Sequence, residues 1–159
     1  MAKIVDLQQI KPIVALLKQG RKTIVLAGGC FDIIHIGHIK FLEEAKKLGD
    51  ILVIFLESDA NVKKLKGANR PIFTQKERAL VLSALGMIDY VVLLPPIDRD
   101  ADYHHLITQL SPNLIAVTEN DPLLMKKKKQ AEEVHGKIAV ISYIKTFSSS
   151  KLAKIIGID

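Results

Sequence analysis

The stretch TIVLAGGCFDIIHIGH, residues 23–38, joins an apolar run to a glycine pair and then to two histidines. Its first five residues are rich in β-branched side chains and apolar without alternation, which is typical of a strand covered on both faces. Gly28 and Gly29 follow at once, and a stretch of helical periodicity begins after His38. A strand end, glycines and a helix start in close succession are typical of a phosphate-binding loop, because glycines let backbone N–H groups approach the phosphates.

Four further apolar runs repeat this character, and they lie at residues 51–56, 90–94, 114–117 and 137–141. Stretches with helical periodicity separate them, and another precedes the first strand at residues 6–18. Alternating strands and helices predict an α/β fold with a Rossmann-like, doubly wound parallel sheet of about five strands. We expect a single domain over residues 1–159, with residues 1–20 as an N-terminal helix leading into it.

Two of the helices have clear start signals or stripes. After Gly37, an apolar stripe repeats at threes and predicts a buried face formed by Ile39, Leu42, Ala45 and Leu48. The sequence Thr74-Gln75-Lys76-Glu77 resembles a capping box. It predicts a helix whose buried stripe is Leu80, Val81, Ala84 and Leu85. Further helices are predicted at residues 102–110 and 122–134.

Composition excludes several classes of protein. The formal net charge is +6, but aromatic residues make up 5% and tryptophan is absent, so stacking on nucleic acid is not expected. The charge instead predicts a basic pocket for a small anion. The single cysteine excludes an internal disulfide framework and suits a reducing compartment. No signal peptide or membrane span is predicted, and the cytoplasm is the expected location.

His35 and His38 are three residues apart and can project from one side of a helix start, with Gly37 leaving room for a ligand. Donors at a helix N-terminus suit the charge that develops when a nucleophile attacks an NTP α-phosphate. The alternative is that both imidazoles merely cap or pack the helix. The position of the motif, between a glycine-bearing strand end and a helix, favours the functional interpretation.

Residues 29–38 resemble the G-x-F-D-x-x-H-x-G-H signature of the cytidylyltransferase-like nucleotidyltransferases. The resemblance continues through Lys63–Gly67, Arg70-Pro71, Glu77-Arg78 and residues 88–92, and it ends at Phe147-Ser148-Ser149-Ser150. These motifs occur in the family's order over residues 20–157. Within the family, the chain is most similar to the adenylyltransferase domains of ADP-heptose synthases, followed by glycerol-3-phosphate cytidylyltransferases and archaeal FAD synthetases.

The resemblance implies roles for the residues of these motifs. His35, His38 and Lys66 would be catalytic, with the imidazoles on the triphosphate and Lys66 neutralising phosphate. Lys64 and Arg78 would contact the substrate phosphate, and whether Lys63 or Lys64 faces the site stays open. The nucleotide would be bound by Gly29, Cys30, Phe31, Asp32, Gly37, Ser148, Ser149 and Ser150.

Two segments depart from the family pattern. Many relatives carry Lys-Gly-x-Asp after the fourth strand, where this chain has Val117-Thr118-Glu119-Asn120. Relatives of the glycerol-3-phosphate type place an arginine before the serine motif, where this chain has Tyr143, with Lys145 nearby. Both departures concern the base and acceptor pockets, so the sequence leaves the acceptor and the choice of ATP or CTP open.

The sequence thus predicts an enzyme that joins an NTP to a phosphorylated small molecule, a sugar phosphate being favoured, and releases pyrophosphate. Mg²⁺ would bind with the NTP, no metal site is assigned to the protein itself, and the resemblance implies a homodimer. Alternatives within the enzymes are a cytidylyltransferase for glycerol 3-phosphate or phosphoethanolamine and an FMN adenylyltransferase. A non-catalytic nucleotide-binding module and a fragment of an aminoacyl-tRNA ligase fit the motifs less well.

Several conspicuous residues are expected to have no catalytic role. His104, His105 and His135 lack ligand spacing to other cysteines or histidines. The charge run Lys126–Lys129 is expected to be mostly solvated. Cys30 is interpreted as a small residue at a strand end, not as a nucleophile.

Overall fold

The computed structural model describes residues 1–142 and 146–157, which form one α/β domain. The strands found there are β1 (Lys3–Val5), β2 (Ile24–Gly29), β3 (Ile51–Leu56), β4 (Tyr90–Leu93), β5 (Leu114–Thr118) and β6 (Lys137–Ile141). The helices are α1 (Leu7–Gln19), α2 (Ile36–Lys47), α3 (Asp59–Lys66), α4 (Gln75–Ser83), α5 (Asp100–Leu110), α6 (Leu124–Glu133) and α7 (Ser149–Ile155). None of these helices is long and apolar enough to cross a membrane.

The strands form a single parallel sheet in the order β1-β4-β3-β2-β5-β6. The chain builds outward from β2 through β3 to β4, then returns to the other side of β2 with β5. The strand order therefore reverses between β2 and β5, where a doubly wound sheet opens a crevice at the carboxyl ends of its strands. The predicted Rossmann-like fold is confirmed.

Two elements were not predicted. The sheet has a sixth strand, because β1 pairs with β4 in the register Lys3↔Tyr90 through Val5↔Val92. Three residues carry too little periodicity to be recognised as a strand. Helix α3 was also missed, since its buried side chains are only Asn61 and Val62 and give no apolar stripe.

Each face of the sheet packs against its own layer of helices. On one face, α1, α5 and α6 cover strand residues that include Leu26, Val53, Phe55, Val92 and Ile115. On the other face, α2 and α4 cover Val25, Leu52, Ile54, Val91 and Ala116. Strands buried on both faces explain the apolar runs without alternation. In α2 the predicted Leu42 and Ala45 are buried, whereas Leu48 follows the helix and is exposed.

The buried face of α4 differs from the prediction. The capping box at Thr74 and Glu77 is confirmed. However, Leu80 is 61% exposed and Val81 is 50% exposed, while the buried hydrophobic side chains of the helix are Ala79 and Leu82. Arg78 is also buried and donates to the carbonyl oxygens of Cys30 and Glu57, so the buried face of α4 contains a charged residue that an apolar stripe does not predict.

Candidate functional site

The two predicted histidines begin helix α2. His35 is its N-cap, and its Nδ1 accepts a hydrogen bond from the Gly37 backbone N–H at 3.2 Å. Nδ1 of His38 accepts one in turn from the His35 backbone N–H at 3.4 Å. Both histidines therefore cap the helix, which was the alternative to a role in binding a ligand. Because an Nδ1 that accepts must be unprotonated, the proton of each neutral ring sits on Nε2 and is left for a ligand.

The surroundings keep both rings uncharged near neutral pH. Burial, then the neighbouring His35 and the Lys66 ammonium, lower the pKa of His38 to about 4. Burial and Lys66 also lower the pKa of His35. The ring centroids lie 3.9 Å apart, so two positive charges at this distance would repel each other strongly. The pair therefore offers two neutral donors and no fixed charge.

A cavity of about 330 Å³ opens where the sheet order reverses, and we call it the first cavity. It brings together most of the predicted nucleotide and catalytic residues, namely Gly29, Cys30, Phe31, His35, Gly37, His38, Lys66, Ser148 and Ser149. Thr118 at the end of β5 and Asp121 in the following loop complete the opposite wall. Tyr143 and Lys145 lie outside the described residues.

The first cavity is closed on one side by a contact between distant segments. Lys66 at the end of α3 donates to the Ser149 hydroxyl at 3.0 Å. Ser148 is the N-cap of α7, and its hydroxyl accepts from the Lys151 backbone N–H at 3.2 Å. The predicted helix start at the serine motif is confirmed. Ser150 lies within α7 and does not line the cavity.

Asp32 and Arg78 lie beneath the loop after β2 and not at the cavity surface. The Asp32 carboxylate is fully covered, pairs with Arg70 and accepts from the Ile72 backbone N–H at 2.8 Å, so it orders the loop. The Arg78 guanidinium donates to the carbonyl oxygens of Cys30, Glu57 and Phe73 and pairs with Asp59. The predicted contact of Arg78 with a substrate phosphate is therefore corrected: its donors hold backbone, and it is a positioning residue.

A second cavity, of about 320 Å³, lies on the other side of the glycine pair. Lys64 lines it and pairs with Asp98, whereas Lys63 lines neither cavity. Lys64 and Lys66 thus belong to different cavities, because side chains two residues apart on α3 point in different directions.

The wall of the second cavity carries polar groups that sequence reasoning missed. Burial raises the pKa of Glu57, whose carboxylate accepts from the Asn61 amide at 3.0 Å. The Tyr103 hydroxyl points toward Gly28, and burial raises the pKa of Tyr103. Gln130 is only 6% exposed, and within residues 1–142 and 146–157 its side-chain amide makes no hydrogen bond. Glu57, Asn61, Tyr103 and Gln130 come from four separate segments of the chain, so no local sequence motif could have predicted that they lie together.

The two cavities share the floor formed by Gly28, Gly29 and Cys30, together with Lys127 of α6. A side-chain carbon added at Gly28 would lie 2.8 Å from the Tyr103 hydroxyl oxygen, so a glycine is needed here. Burial raises the pKa of the Cys30 thiol, which opposes its use as a thiolate nucleophile. Within the run Lys126–Lys129, which was expected to be mostly solvated, Lys127 is an exception, because its side chain is only 18% exposed and lines both cavities.

The donor set suits a magnesium ion that arrives with a nucleotide. Among the described residues, no cluster of three His, Cys, Asp or Glu side chains could hold a metal by itself. Asp121 and Glu44 are the carboxylates of the first cavity. Mg²⁺ commonly binds through one or two carboxylates, several waters and substrate phosphates, so these residues fit an ion held mainly by a triphosphate.

A family model described as cytidylyltransferase-like matches residues 26–155. Among curated proteins, the bifunctional protein HldE of Campylobacter jejuni is 40% identical over 142 residues, which cover 88% of this chain and 29% of that protein. HldE of Geotalea uraniireducens is 36% identical over 152 residues, covering 95% of this chain and 30% of that protein. The chain thus spans less than a third of the length of these relatives.

Solved structures show the same architecture. A lipopolysaccharide core biosynthesis protein from Thermoplasma volcanium is 25% identical with a TM-score of 0.64, and the match covers 79% of this chain and 99% of that one. A pantoate-beta-alanine ligase from Francisella tularensis has a TM-score of 0.70 at 16% identity, covering 96% of this chain and 73% of that one. The second likeness concerns the fold alone.

Proposed function

Since the chain belongs to the cytidylyltransferase-like family and is a nucleotidyltransferase, we propose that it transfers the adenylyl group of ATP to a sugar phosphate, with heptose 1-phosphate as the favoured acceptor. A phosphate oxygen of the acceptor attacks the α-phosphorus. The bond from that phosphorus to the oxygen bridging to the β-phosphate breaks, and pyrophosphate leaves. The choice of ATP and of a sugar rests on the resemblance to ADP-heptose synthases.

The observation that carries the proposal is the pair of cavities that meet at Gly28, Gly29 and Cys30. We assign the nucleotide to the first cavity, which has the histidines and the serine motif, and the acceptor to the second. The phosphate of the acceptor and the α-phosphate of the nucleotide would then approach each other over the glycines, where backbone leaves them room.

In the first cavity the residues bind and orient; they do not form a covalent intermediate. The Nε2–H groups of His35 and His38 would donate to the phosphates, and the Lys66 ammonium would neutralise charge that grows on the departing group. Asp121 and Glu44 would help to hold magnesium that arrives with the nucleotide, and the ion would supply positive charge that neutralises the phosphates.

The second cavity favours an acceptor with several hydroxyl groups. The Glu57 carboxylate can accept from a hydroxyl, and the Tyr103 hydroxyl and Gln130 amide can both donate and accept. A polyhydroxylated sugar would use all three groups. Phosphoethanolamine, whose ammonium would pair with Glu57, would leave the other two without partners.

The direct test crosses ATP and CTP with heptose 1-phosphate, other sugar 1-phosphates, glycerol 3-phosphate, phosphoethanolamine and FMN in the presence of magnesium. Pyrophosphate release is measured. We expect release with ATP and a sugar phosphate. Release from none of the pairs, from folded protein, would overturn the proposal, and release only with CTP or a non-sugar acceptor would replace its substrate.

A variant test isolates the imidazole donors. In His38→Asn the amide oxygen can still accept from the His35 backbone N–H, but the Nε2–H donor is lost. We expect turnover to fall about a hundredfold or more, as for other preorganised donors. His105→Asn, at an exposed position of α5, is the matched control. Turnover of His38→Asn within about threefold of the original would contradict the role.

We further propose that the protein is a homodimer in a reducing, cytoplasmic compartment and that it does not act on nucleic acid. The homodimer rests on the family resemblance, and the reducing compartment rests on the single cysteine, Cys30. The exclusion of nucleic acid rests on the low aromatic content and the absence of tryptophan. Light scattering coupled to size-exclusion chromatography measures the dimer directly, and a monomeric mass at micromolar concentration would exclude it.

A further inference from the structure

Lys127 lies where the two cavities meet. Four residues line both cavities, and three of them are the glycine pair and Cys30. Lys127 is the fourth and, among the described residues, it is the charged side chain that both cavities share. Lys66 lines only the first cavity and Lys64 only the second.

The ammonium of Lys127 is held in place. Its Nζ lies 2.6 Å from Oδ2 of Asp121, and the two side chains are 18% and 15% exposed. Asp121 is fixed in turn, because its Oδ1 accepts from the Leu123 backbone N–H at 2.8 Å. The positive charge of Lys127 also reaches Glu57 in the second cavity, where it opposes the rise that burial causes in the Glu57 pKa. Lys128 and Lys129, on the same helix, are exposed.

We propose that Lys127 is a catalytic residue that contacts the phosphate oxygens on both sides of the bond being made. This inference rests on the proposed function. Two anionic groups must approach each other at the junction of the cavities, and a cation between them stabilises that approach most where both phosphates are closest, in the transition state. Residues 117–120 provide no lysine at the end of β5, and α6 brings an ammonium to the same end of the sheet.

The test compares Lys127→Met, which keeps most of the length of the side chain without its charge, with Lys128→Met as the matched control. We expect kcat of Lys127→Met to fall at least tenfold, while KM for ATP changes by less than threefold. Lys127→Arg should recover part of the loss, because it restores a cation. Lys128→Met should stay within twofold of the original. A loss of kcat smaller than tenfold in Lys127→Met, with the variant folded by circular dichroism, overturns the inference.

Removing Lys127 also leaves the Asp121 carboxylate unpaired beside the phosphates, which by itself could lower turnover. The double variant Asp121→Asn/Lys127→Met, compared with Asp121→Asn alone, separates the two effects. If the ammonium acts on the phosphates, kcat of the double variant stays at least tenfold below that of Asp121→Asn. A difference smaller than tenfold would mean that Lys127 only neutralises Asp121, and the inference would be wrong. Failure of the original protein to release pyrophosphate with any pair would instead overturn the proposed function, and this inference with it.

Discussion

Protonation of His38 should destabilise the folded protein in mild acid. Its pKa is lowered from 6.5 to about 4 by burial, by His35 and by Lys66. The unfolded chain therefore binds a proton as the pH falls through 6.5, whereas the folded chain does not do so until about pH 4. Between these values the unfolded state binds more protons, so the free energy of unfolding decreases as the pH decreases.

The size of the effect follows from the two pKa values. At pH 5 the linkage relation gives a loss of about 2 kcal/mol relative to pH 7.5, and near pH 4 it gives about 3 kcal/mol. Such a loss is a substantial part of the stability of a domain of this size. The figure applies to the free protein, because bound phosphates would favour the charged imidazole.

Urea unfolding at pH 7.5 and pH 5.0 measures the effect. The original protein should lose about 2 kcal/mol more than His38→Asn between the two pH values, since the variant has no imidazole to protonate at that position. His105→Asn, at an exposed position, should behave like the original. If His38→Asn lost as much stability as the original protein, the burial of an uncharged imidazole would not be the cause.

Three further predictions concern the packing of α4 and of two glycines at the site. Leu82→Ala should cost about 2–5 kcal/mol of unfolding free energy, and Leu80→Ala less than about 0.5 kcal/mol. Both losses are measured by urea titration, and equal losses would contradict the buried face observed for α4. Gly28→Ala should cost about 1–3 kcal/mol through its approach to the Tyr103 hydroxyl, and adding Tyr103→Phe should recover part of that loss; no recovery would exclude this clash. Gly37→Ala should lower ATP turnover at least about tenfold, because the new methyl group would lie 2.8 Å from Thr146 Cγ2 and 3.0 Å from His35 Cε1. Unchanged kcat/KM would refute the tight fit.

The sequence predicted the sheet well because its central strands are buried on both faces and are continuous apolar runs. The predicted limits of residues 51–56 and 137–141 match β3 and the partly exposed edge strand β6. The phosphate loop was also predictable, since its glycines, histidines and helix start lie within one short segment. Local patterns of this kind predict structure reliably because they depend on contacts between residues that are close in the chain.

The rest of the site depends on contacts between distant segments. The buried face of α4 includes Arg78, whose partners include carbonyl oxygens at residues 30 and 57. The four consecutive lysines at residues 126–129 cannot be told apart in the sequence, and the partner of Lys127, Asp121, lies in the preceding loop. Lys127 was therefore predicted to be solvated with the rest of the run. The second cavity combines Glu57, Tyr103 and Gln130 from separate elements. The spacing of residues in a single sequence does not predict contacts between such distant segments.

The way in which the histidines begin α2 also limits the chemistry of the pocket. Nδ1 of each ring is occupied by a backbone N–H, and Nε2 already bears the proton, so neither imidazole has a free lone pair with which to act as a base. An alcohol would need to lose its proton in order to attack, and these rings could not remove it. A phosphate is already ionised when it arrives. The capping of a single helix thus selects nucleophiles that need no deprotonation.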